Sequence, residues 1–358
     1  MRRHCPDLGI RAGDGSSSRM SSRVLGQGDP KPTVSVIMPC HNGQRYVAAA
    51  VESVLRQTYT NFEILAVDDG SSDDTPNILR SLAAADPRVI TWSQSASGTA
   101  AAARNAAFAR ARGELIAFLD DDDLYHPEKL ERSLVGFDGR PDIQVVFHDH
   151  VRFRHDPHEA EAFRFLASRS YVATAGHALE AIGSKWCIGS PDFYRFSSLE
   201  YVGIHTSAVM VRRKTLLDEP VIFQTDLRIF EDLDLWLRLI HRYPIAYCDE
   251  ALSYYRLTGS GVSSDALEVA RANVQLHKAN LARGQRSFTA GDVRRYQAKI
   301  AEAWFNLGYT EVQHGHCSAG RRAYRAALRL APSGRVFAAL IKSFAPSGLT
   351  RRRSRPSQ

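Results

Sequence analysis

Along the first 125 residues the apolar positions switch between short continuous runs and helical spacing, and each switch marks an element. Thr33 to Met38 is a short apolar run that ends at Pro39 and predicts a strand. Residues 44–56 instead place Val47, Ala50, Val51, Val54 and Leu55 at helical spacing. Phe62–Val67 predicts a second strand, followed by the acidic loop Asp68-Asp69-Gly70-Ser71-Ser72-Asp73-Asp74-Thr75. Asp74 or Thr75 then caps a helix reaching about Ala85, with Pro76 in its first turn. Val89–Trp92 is a third strand, and Ala100–Arg112 an Ala-rich helix closed by Gly113. Leu115–Leu119 is a fourth strand, five apolar residues followed at once by Asp120-Asp121-Asp122-Asp123. This β-α-β-α-β-α-β order predicts an α/β fold, a parallel sheet covered by helices with ligands at the C-terminal ends of its strands.

The pattern then loosens. Residues 128–137 read as a helix and Ile143–Phe147 as a strand, while residues 150–200 are irregular, rich in His, Arg and aromatic residues, and read as an insertion or lid. Residues 204–211 return to strand character. Glu231-Asp232 opens a helix carrying Leu233, Leu235, Trp236, Leu237, Leu239 and Ile240, and Ile245–Cys248 and Ala251–Leu257 read as two further strands. From about Ser264 the spacing is helical throughout. Within 298–332, Ala301, Trp304, Leu307, Gly308, Tyr309, Gly315, Ala319, Tyr324, Ala327, Leu328 and Pro332 fit one tetratricopeptide-like helix pair, or an amphipathic helical tail. The expected division is a disordered basic segment over 1–32, an α/β domain over 33–262, a helical region over 263–346 and a basic disordered tail over 347–358. Met20 is an alternative start.

Charge changes this picture once it is located. The chain of 358 residues carries a net +7, but the first 32 residues hold +3 and the last 47 hold +10, which leaves −6 for residues 33–311. An acidic body argues against a nucleic-acid enzyme, whose basic surface lies near its active site. The basic C-terminal region, where Arg321, Arg322, Arg325 and Arg329 adjoin the apolar Val336, Phe337, Leu340, Ile341 and Phe344 and the run Arg351-Arg352-Arg353, suits an anionic membrane surface. No run approaches the ~20 apolar residues that span a bilayer. The first thirty residues lack the apolar core of a secretory signal. The five cysteines form no Cys-x-x-Cys pair, so the expectation is a cytoplasmic protein with reduced thiols and no zinc site.

Four adjacent carboxylates repel one another unless a cation neutralises them, and Asp120 and Asp122 point to one side of an extended segment. Hard cations such as Mg²⁺ or Mn²⁺ take carboxylate oxygens and keep positions open for phosphate oxygens. An Asp-x-Asp at a strand end therefore suits a metal–diphosphate; the plainer alternative is a solvated acidic loop capping the next helix. In a parallel sheet the loops at 68–69 and 120–123 lie on the same edge. Taken singly, Asp68-Asp69-Gly70 is an ordinary turn, Glu231-Asp232 a helix cap, Arg104 a partner for the acids and His205 a strand-edge histidine.

Five stretches in order carry a resemblance: Val34-Ser-Val-Ile-Met-Pro-Cys-His-Asn42, Val67-Asp-Asp-Gly-Ser-Ser-Asp-Asp-Thr75, Ala103-Arg-Asn105, Gly113-Glu-Leu-Ile-Ala-Phe-Leu-Asp-Asp-Asp-Asp123 and Glu231-Asp-Leu-Asp-Leu-Trp236. Over residues 33–258 the chain resembles the family 2 glycosyltransferases, inverting enzymes with the GT-A fold, a Rossmann-like mixed sheet; the helical C-terminal extension is not covered. The resemblance implies that Pro39 and His41 line a nucleotide-base pocket, Asp69 bonds the base or ribose, and Arg104 lies near the nucleotide. It implies that Asp120 and Asp122 hold a divalent cation, with Asp122 the more direct ligand, and that Asp232 is the catalytic base. Asp121 stands where a small residue is common and counts among the nucleotide-sugar contacts. Arg256 remains for the diphosphate, whereas Thr258 stands where a histidine is common. The implied function is metal-dependent transfer of a sugar from a nucleotide-sugar donor to a saccharide or lipid-linked acceptor, in bacterial surface polysaccharide or glycoconjugate synthesis, at the inner face of the membrane. The alternatives are a nucleotidyltransferase, whose Gly-rich phosphate loop Cys40-His41-Asn42-Gly43 does not supply, and a degenerate transferase domain acting as an interaction module.

Overall fold

In the computed structural model, which describes residues 31–154, 164–258 and 265–344, the chain opens with β1 (Val34–Cys40), α1 (Val47–Leu55), β2 (Phe62–Asp69), α2 (Thr75–Ala85), β3 (Val89–Gln94), α3 (Ala100–Arg110) and β4 (Leu115–Phe118). There follow β5 (Leu124–Tyr125), α4 (Lys129–Val135), β6 (Val145–Phe153), α5 (Tyr171–Ala175), β7 (Leu179–Ala181), β8 (Trp186–Gly189), α6 (Phe193–Leu199), β9 (Val209–Arg212), α7 (Arg213–Leu217), α8 (Glu231–Arg242) and β10 (Ile245–Arg256). Four helices close the described chain: α9 (Ala266–Gly284), α10 (Ala290–Gln313), α11 (Cys317–Leu330) and α12 (Gly334–Lys342).

One mixed sheet runs β3-β2-β1-β4-β9-β6-β10-β8-β7, with β5 paired to β10. β1, β2, β3 and β4 are mutually parallel, so their C-terminal ends share one edge. β9 is antiparallel to both β4 and β6, and β6 and β10 are parallel again. β1, β2 and β4 are buried along their whole length because helices cover both faces. Alternate residues divide the core: Val36, Met38, Ile64 and Ala117 pack with α1, while Ile37, Leu65, Val67, Ile116 and Phe118 pack with α3 and α8. On the latter side Trp236 meets Phe118 edge-on at 5.4 Å. Such a pair contributes roughly 0.5–1.5 kcal/mol beyond area burial.

Several boundaries differ from the sequence expectation for identifiable reasons. β1 runs through Pro39 to Cys40. The Leu119 N–H donates to the Ile37 carbonyl, so Ile37 and Pro39 both face β4, whose ladder has ended by then; Pro39 costs no bond there. The Asp73 carboxylate, not Asp74 or Thr75, accepts the Thr75 N–H at the start of α2. Gly113 does not close α3, which ends at Arg110 with Ala111 as its cap; a Cβ on Gly113 would lie 2.5 Å from the Ser35 nitrogen, so the glycine lets the chain cross β1. β6 extends to Phe153 instead of Phe147, and the segment after it contains α5, β7, β8 and α6 rather than irregular chain. Residues 206–208 form a 3-10 turn, leaving only Val209–Arg212 as strand. The two strands expected at 245–257 are one, with register shifts between Cys248 and Ser253.

The described residues from Pro32 onward belong to one compact unit, in which the strands end with β10 at Arg256 and helices follow from Ala266. α10 and α11 pair closely: a Cβ on Gly308 would meet the Tyr324 ring at 2.7 Å, and one on Gly320 would meet Val312 at 2.5 Å. α9 and α10 dock on α6 and α8 through Asn280, bonded to Tyr194 and Ser198, through Arg283 on Asp234 at 2.8 Å, and through Asp292 on Arg195 at 2.6 Å. Asp292 also completes a capping box with Thr289, and the Arg195 guanidinium holds its carboxyl well below the usual range. A depressed carboxylate pKa gives stability that is present above the unfolded value and lost as pH falls towards the folded one. Asp292→Ala should therefore cost about 1–2 kcal/mol at pH 7. The gap to wild type should narrow below about pH 4 in urea titrations. A gap unchanged to pH 3 would assign the loss to packing instead.

The basic N-terminal segment to residue 30 and the tail from 345, including Arg351-Arg352-Arg353, lie outside the described residues.

Candidate active site

The loops after β1 and β2 are laced together. The Asn42 N–H donates to Ser71 Oγ at 2.9 Å and the Ser72 N–H to Asn42 Oδ1 at 2.8 Å, with Asn42 itself left-handed at φ 53°. His41 Nδ1 lies 2.9 Å from the Asp69 carbonyl oxygen. The Asp69 carboxylate is held by Gln94 Nε2 at 2.8 Å and by the Ser97 N–H and hydroxyl at 3.0 and 2.8 Å. Gly70 has φ 68°, and a Cβ there would lie 2.5 Å from the Ala96 nitrogen, so only glycine lets this loop close on the one after β3. Pro39, His41 and Asp69 are thus brought to one edge, with Gln94 and Ser97 as supports that sequence reading missed.

The four aspartates after β4 face four ways. Asp120 Oδ1 accepts from Arg104 at 2.7 Å. Asp121 turns back to accept the His41 N–H at 3.0 Å, in space that a side chain at Gly43 would fill. Burial, with the Asp122 charge next, pushes the Asp121 carboxyl up to about 8. The Asp122 carboxylate takes no side-chain hydrogen bond among the described residues, and burial, then Asp120, pushes it up to about 6. Asp123 is fully buried, accepting the Ser207 hydroxyl at 2.6 Å and the Arg256 N–H at 2.9 Å. The sequence placed Asp123 in the acid run, but nothing in it marked this residue as the anchor of the loop.

Arg104 is buried between Asp120 and Glu231, at 2.7 and 2.6 Å, and these acids hold its charge firmly. Its head group is therefore committed to tying the β4 loop to the start of α8. Burial, then the Asp232 charge, pushes Glu231 up to about 7. Asp232 is half-buried; its Oδ2 accepts the Thr206 hydroxyl at 2.6 Å and its Oδ1 the Leu233 N–H at 2.7 Å. Phe230, just before, has φ 66°, a conformation that costs a non-glycine residue about 1–3 kcal/mol and marks a constrained site. Arg256 lays its guanidinium over Tyr46 at 4.6 Å and Phe153 at 4.4 Å while its Nε donates to the Asp122 carbonyl at 2.8 Å.

One short segment joins these parts. In His205-Thr206-Ser207, Thr206 holds Asp232, and Ser207 holds Asp123 and accepts the Asp120 N–H at 3.2 Å. The base candidate and the acidic loop, distant in sequence, are fixed against each other by two adjacent hydroxyls. Among the described residues no three His, Cys, Asp or Glu side chains close on a common point. The donors that fit a hard cation are the Asp122 carboxylate, which takes no side-chain hydrogen bond among the described residues, and the second oxygen of Asp120, with the cation's remaining positions left to ligand oxygens.

Residues 35–202 match the family model described as Glycosyl transferase family 2. The candidate teichuronic acid biosynthesis glycosyltransferase TuaG of Bacillus subtilis (strain 168) is 32% identical over 244 residues, 67% of this chain and 85% of that one. The Escherichia coli UDP-Glc:alpha-D-GlcNAc-diphosphoundecaprenol beta-1,3-glucosyltransferase WfgD is 31% identical over 235 residues, 65% of this chain and 80% of that one. Some relatives are longer: the chain spans 33% of an uncharacterised glycosyltransferase of Rickettsia felis (strain ATCC VR-1525 / URRWXCal2), 32% identical over 228 residues. Among solved structures, S. aureus TarS 1–349 in complex with UDP-GlcNAc superposes with a TM-score of 0.58 at 16% identity, covering 87% of this chain and 89% of that one. The sheet edge, its acidic loop and these relatives together place the chain in glycosyltransferase family 2, a transferase with the GT-A fold.

Proposed function

We propose that the protein transfers a sugar from a nucleotide-sugar donor to a saccharide or lipid-linked acceptor with inversion, and that Asp232 is its general base. The observation that carries this reading is the Thr206–Ser207 link, which holds Asp232 opposite the Asp120–Asp123 loop on one sheet edge. Pro39, His41, Asp69 and Asp121 surround the end of β1 and β2, where a nucleotide would lie. A divalent cation held by Asp122 and Asp120, when bound, would neutralise the departing diphosphate. Arg104 fixes Asp120 towards it, and Arg256, beside Asp122, is placed to reach the same phosphates. Asp232, across the site, takes the proton of the acceptor hydroxyl as it attacks from the opposite face. TuaG and WfgD support an acceptor in cell-surface polysaccharide synthesis. The test is a screen of nucleotide sugars with Mn²⁺, scoring donor hydrolysis and then transfer. Cleavage of one donor, abolished by EDTA, is expected; metal-independent nucleotidyl transfer would favour the other enzymatic reading.

The reading extends to a cytoplasmic protein that touches the membrane through its helical end. Among the described residues no helix is long and apolar enough to cross a membrane. α12 and the residues just after it divide their apolar side chains: Val336 packs with Phe305, Tyr324 and Ala327, whereas Phe337, Ile341 and Phe344 are 57%, 56% and 60% exposed. Arg322, Arg325, Arg329, Arg335 and Lys342 are exposed on the same two helices, α11 and α12. Each basic residue near an anionic leaflet contributes ~1 kcal/mol. The full chain should sediment with phosphatidylglycerol vesicles at low salt and release at high salt. Phe337→Ser with Ile341→Ser should weaken this several-fold, and unchanged binding by that variant would end the idea.

A further inference from the structure

The strand pair β6·β10 carries a second cluster that the proposed chemistry does not use. Val151, Phe153 and Tyr254 pack together on one face of the pair. His150, Arg152 and Tyr255 occupy the other, beside Phe165, Arg169 and His205. His150 stacks on His205 at 4.8 Å, and His205 meets Tyr255 at 4.6 Å. The Arg152 guanidinium lies 3.6 Å from the Phe165 ring centre, and that of Arg169 lies 4.6 Å from the same ring. Arg169 also covers Tyr201 at 5.3 Å, and Arg152 approaches Tyr255 at 5.4 Å.

Neither Arg152 nor Arg169 has a carboxylate partner among the described residues, and Arg152 Nε is buried without a hydrogen bond. Their neighbour Arg164 differs, being paired with Asp149 at 3.3 Å and Asp249 at 2.5 Å. Asp149 is not free to serve the other two, because its oxygens already accept the N–H groups of His150, Leu166 and Ala167. A guanidinium stacked on a ring keeps its N–H donors around its edge, where they match the oxygens of a phosphate. Two guanidinium groups held on a single phenylalanine, with no carboxylate partner among the described residues, leave N–H donors for an anion.

Its place in the sheet bears on which anion it could take. Asp69, His41 and Asp121 gather at β1 and β2, whereas Arg152 lies on β6, with β4 and β9 between. The Asp120–Asp123 loop stands between the two regions. On the far side, His205 bridges: its ring touches Tyr255 and His150, and the next residue, Thr206, holds Asp232. Asp232 is thus linked through Thr206 and His205 to the face that carries Tyr255, Arg152 and Arg169, whereas Arg256 stacks on Phe153 on the opposite face of the strand pair.

We propose that Arg152 and Arg169 bind a phosphate carried by the acceptor, so that the acceptor is a glycosyl phosphate or diphosphate and not a neutral glycan. This rests on the transferase reading of Asp232, but the phosphate site is measurable without turnover. Calorimetry in EDTA, with the whole chain, would use glucose 1-phosphate, farnesyl diphosphate and methyl glucoside as probes. The two phosphates should bind saturably and methyl glucoside should not. Arg152→Gln with Arg169→Gln should weaken the phosphates at least tenfold while leaving UDP binding with Mn²⁺ unchanged, which also reports that the variant is folded. Arg169→Gln alone, at an exposed position, should give part of the loss. Tighter binding of farnesyl diphosphate would point to a lipid-linked acceptor, and tighter binding of glucose 1-phosphate to a soluble one. Equal phosphate affinity in the double variant, or no saturable phosphate binding by wild type at millimolar concentrations, overturns the proposal. Loss of UDP binding by wild type would count against the transferase reading and leave the phosphate result standing.

Discussion

Asp232→Asn should lower kcat by ~10²–10⁴ while donor affinity stays near that of wild type. In free energy that is about 2.7–5.5 kcal/mol of lost transition-state stabilisation. Asparagine has almost the same shape, and its amide oxygen can still accept the Thr206 hydroxyl or the Leu233 N–H that now hold the carboxylate at 2.6 and 2.7 Å. The fold and the β4 loop should therefore survive, and what is lost is the capacity to take a proton. Thr206→Val, which removes only the hydroxyl that aims the carboxylate, should cost less than Asp232→Asn. Steady-state kinetics with a saturating acceptor, beside calorimetric donor binding, separates the cases. A variant that loses donor affinity and keeps kcat would make Asp232 a binding residue and move the base elsewhere. Glu231 is the next acid in line, but its side chain is committed to Arg104 at 2.6 Å.

The parts of the fold that depend on local pattern were legible, and those that depend on distant partners were not. The first four strands and three helices announce themselves because each buries a simple apolar run or stripe. β6 is cut short in any such reading, since His148, Asp149 and His150 interrupt its apolar run. They lie buried in the strand only because residues 164–167 come back to satisfy Asp149. Residues 204–211 look like strand by composition, yet Thr206 and Ser207 turn out of it to reach Asp232 and Asp123, 26 and 84 residues away. In the site itself, the acid run and Glu231-Asp232 stood out as charges at the ends of apolar elements. Gln94, Ser97, Thr206 and Ser207 did not, because a hydroxyl or amide gains its role only from the carboxylate it meets.

The second large effect belongs to Asp122. Its carboxylate is the one member of the acidic loop that accepts no hydrogen bond from another residue among those described; Asp120 is held by Arg104, Asp121 by the His41 N–H, and Asp123 by Ser207 and Arg256. Burial, and then the Asp120 charge, raise it to about 6, so in the metal-free protein it carries a proton below that pH and a charge above it that Arg256 only partly offsets. A raised carboxylate pKa means that ionisation costs folding stability as pH climbs from about 4 to 6, and a cation that binds the ionised form returns that stability. Mn²⁺ should therefore raise Tm little at pH 5 and more at pH 7.5. Asp122→Asn removes the anionic ligand and one of the repelling charges together. The variant should be at least as stable as wild type without metal at pH 7.5, should gain little from Mn²⁺, and should lose most of its metal-dependent nucleotide affinity. Asp123→Asn makes the useful contrast, because it disturbs the bonds to Ser207 and Arg256 and should lower stability with or without metal. If Asp122→Asn keeps full nucleotide affinity in Mn²⁺, or if its Tm responds to Mn²⁺ as wild type does, the cation is held elsewhere.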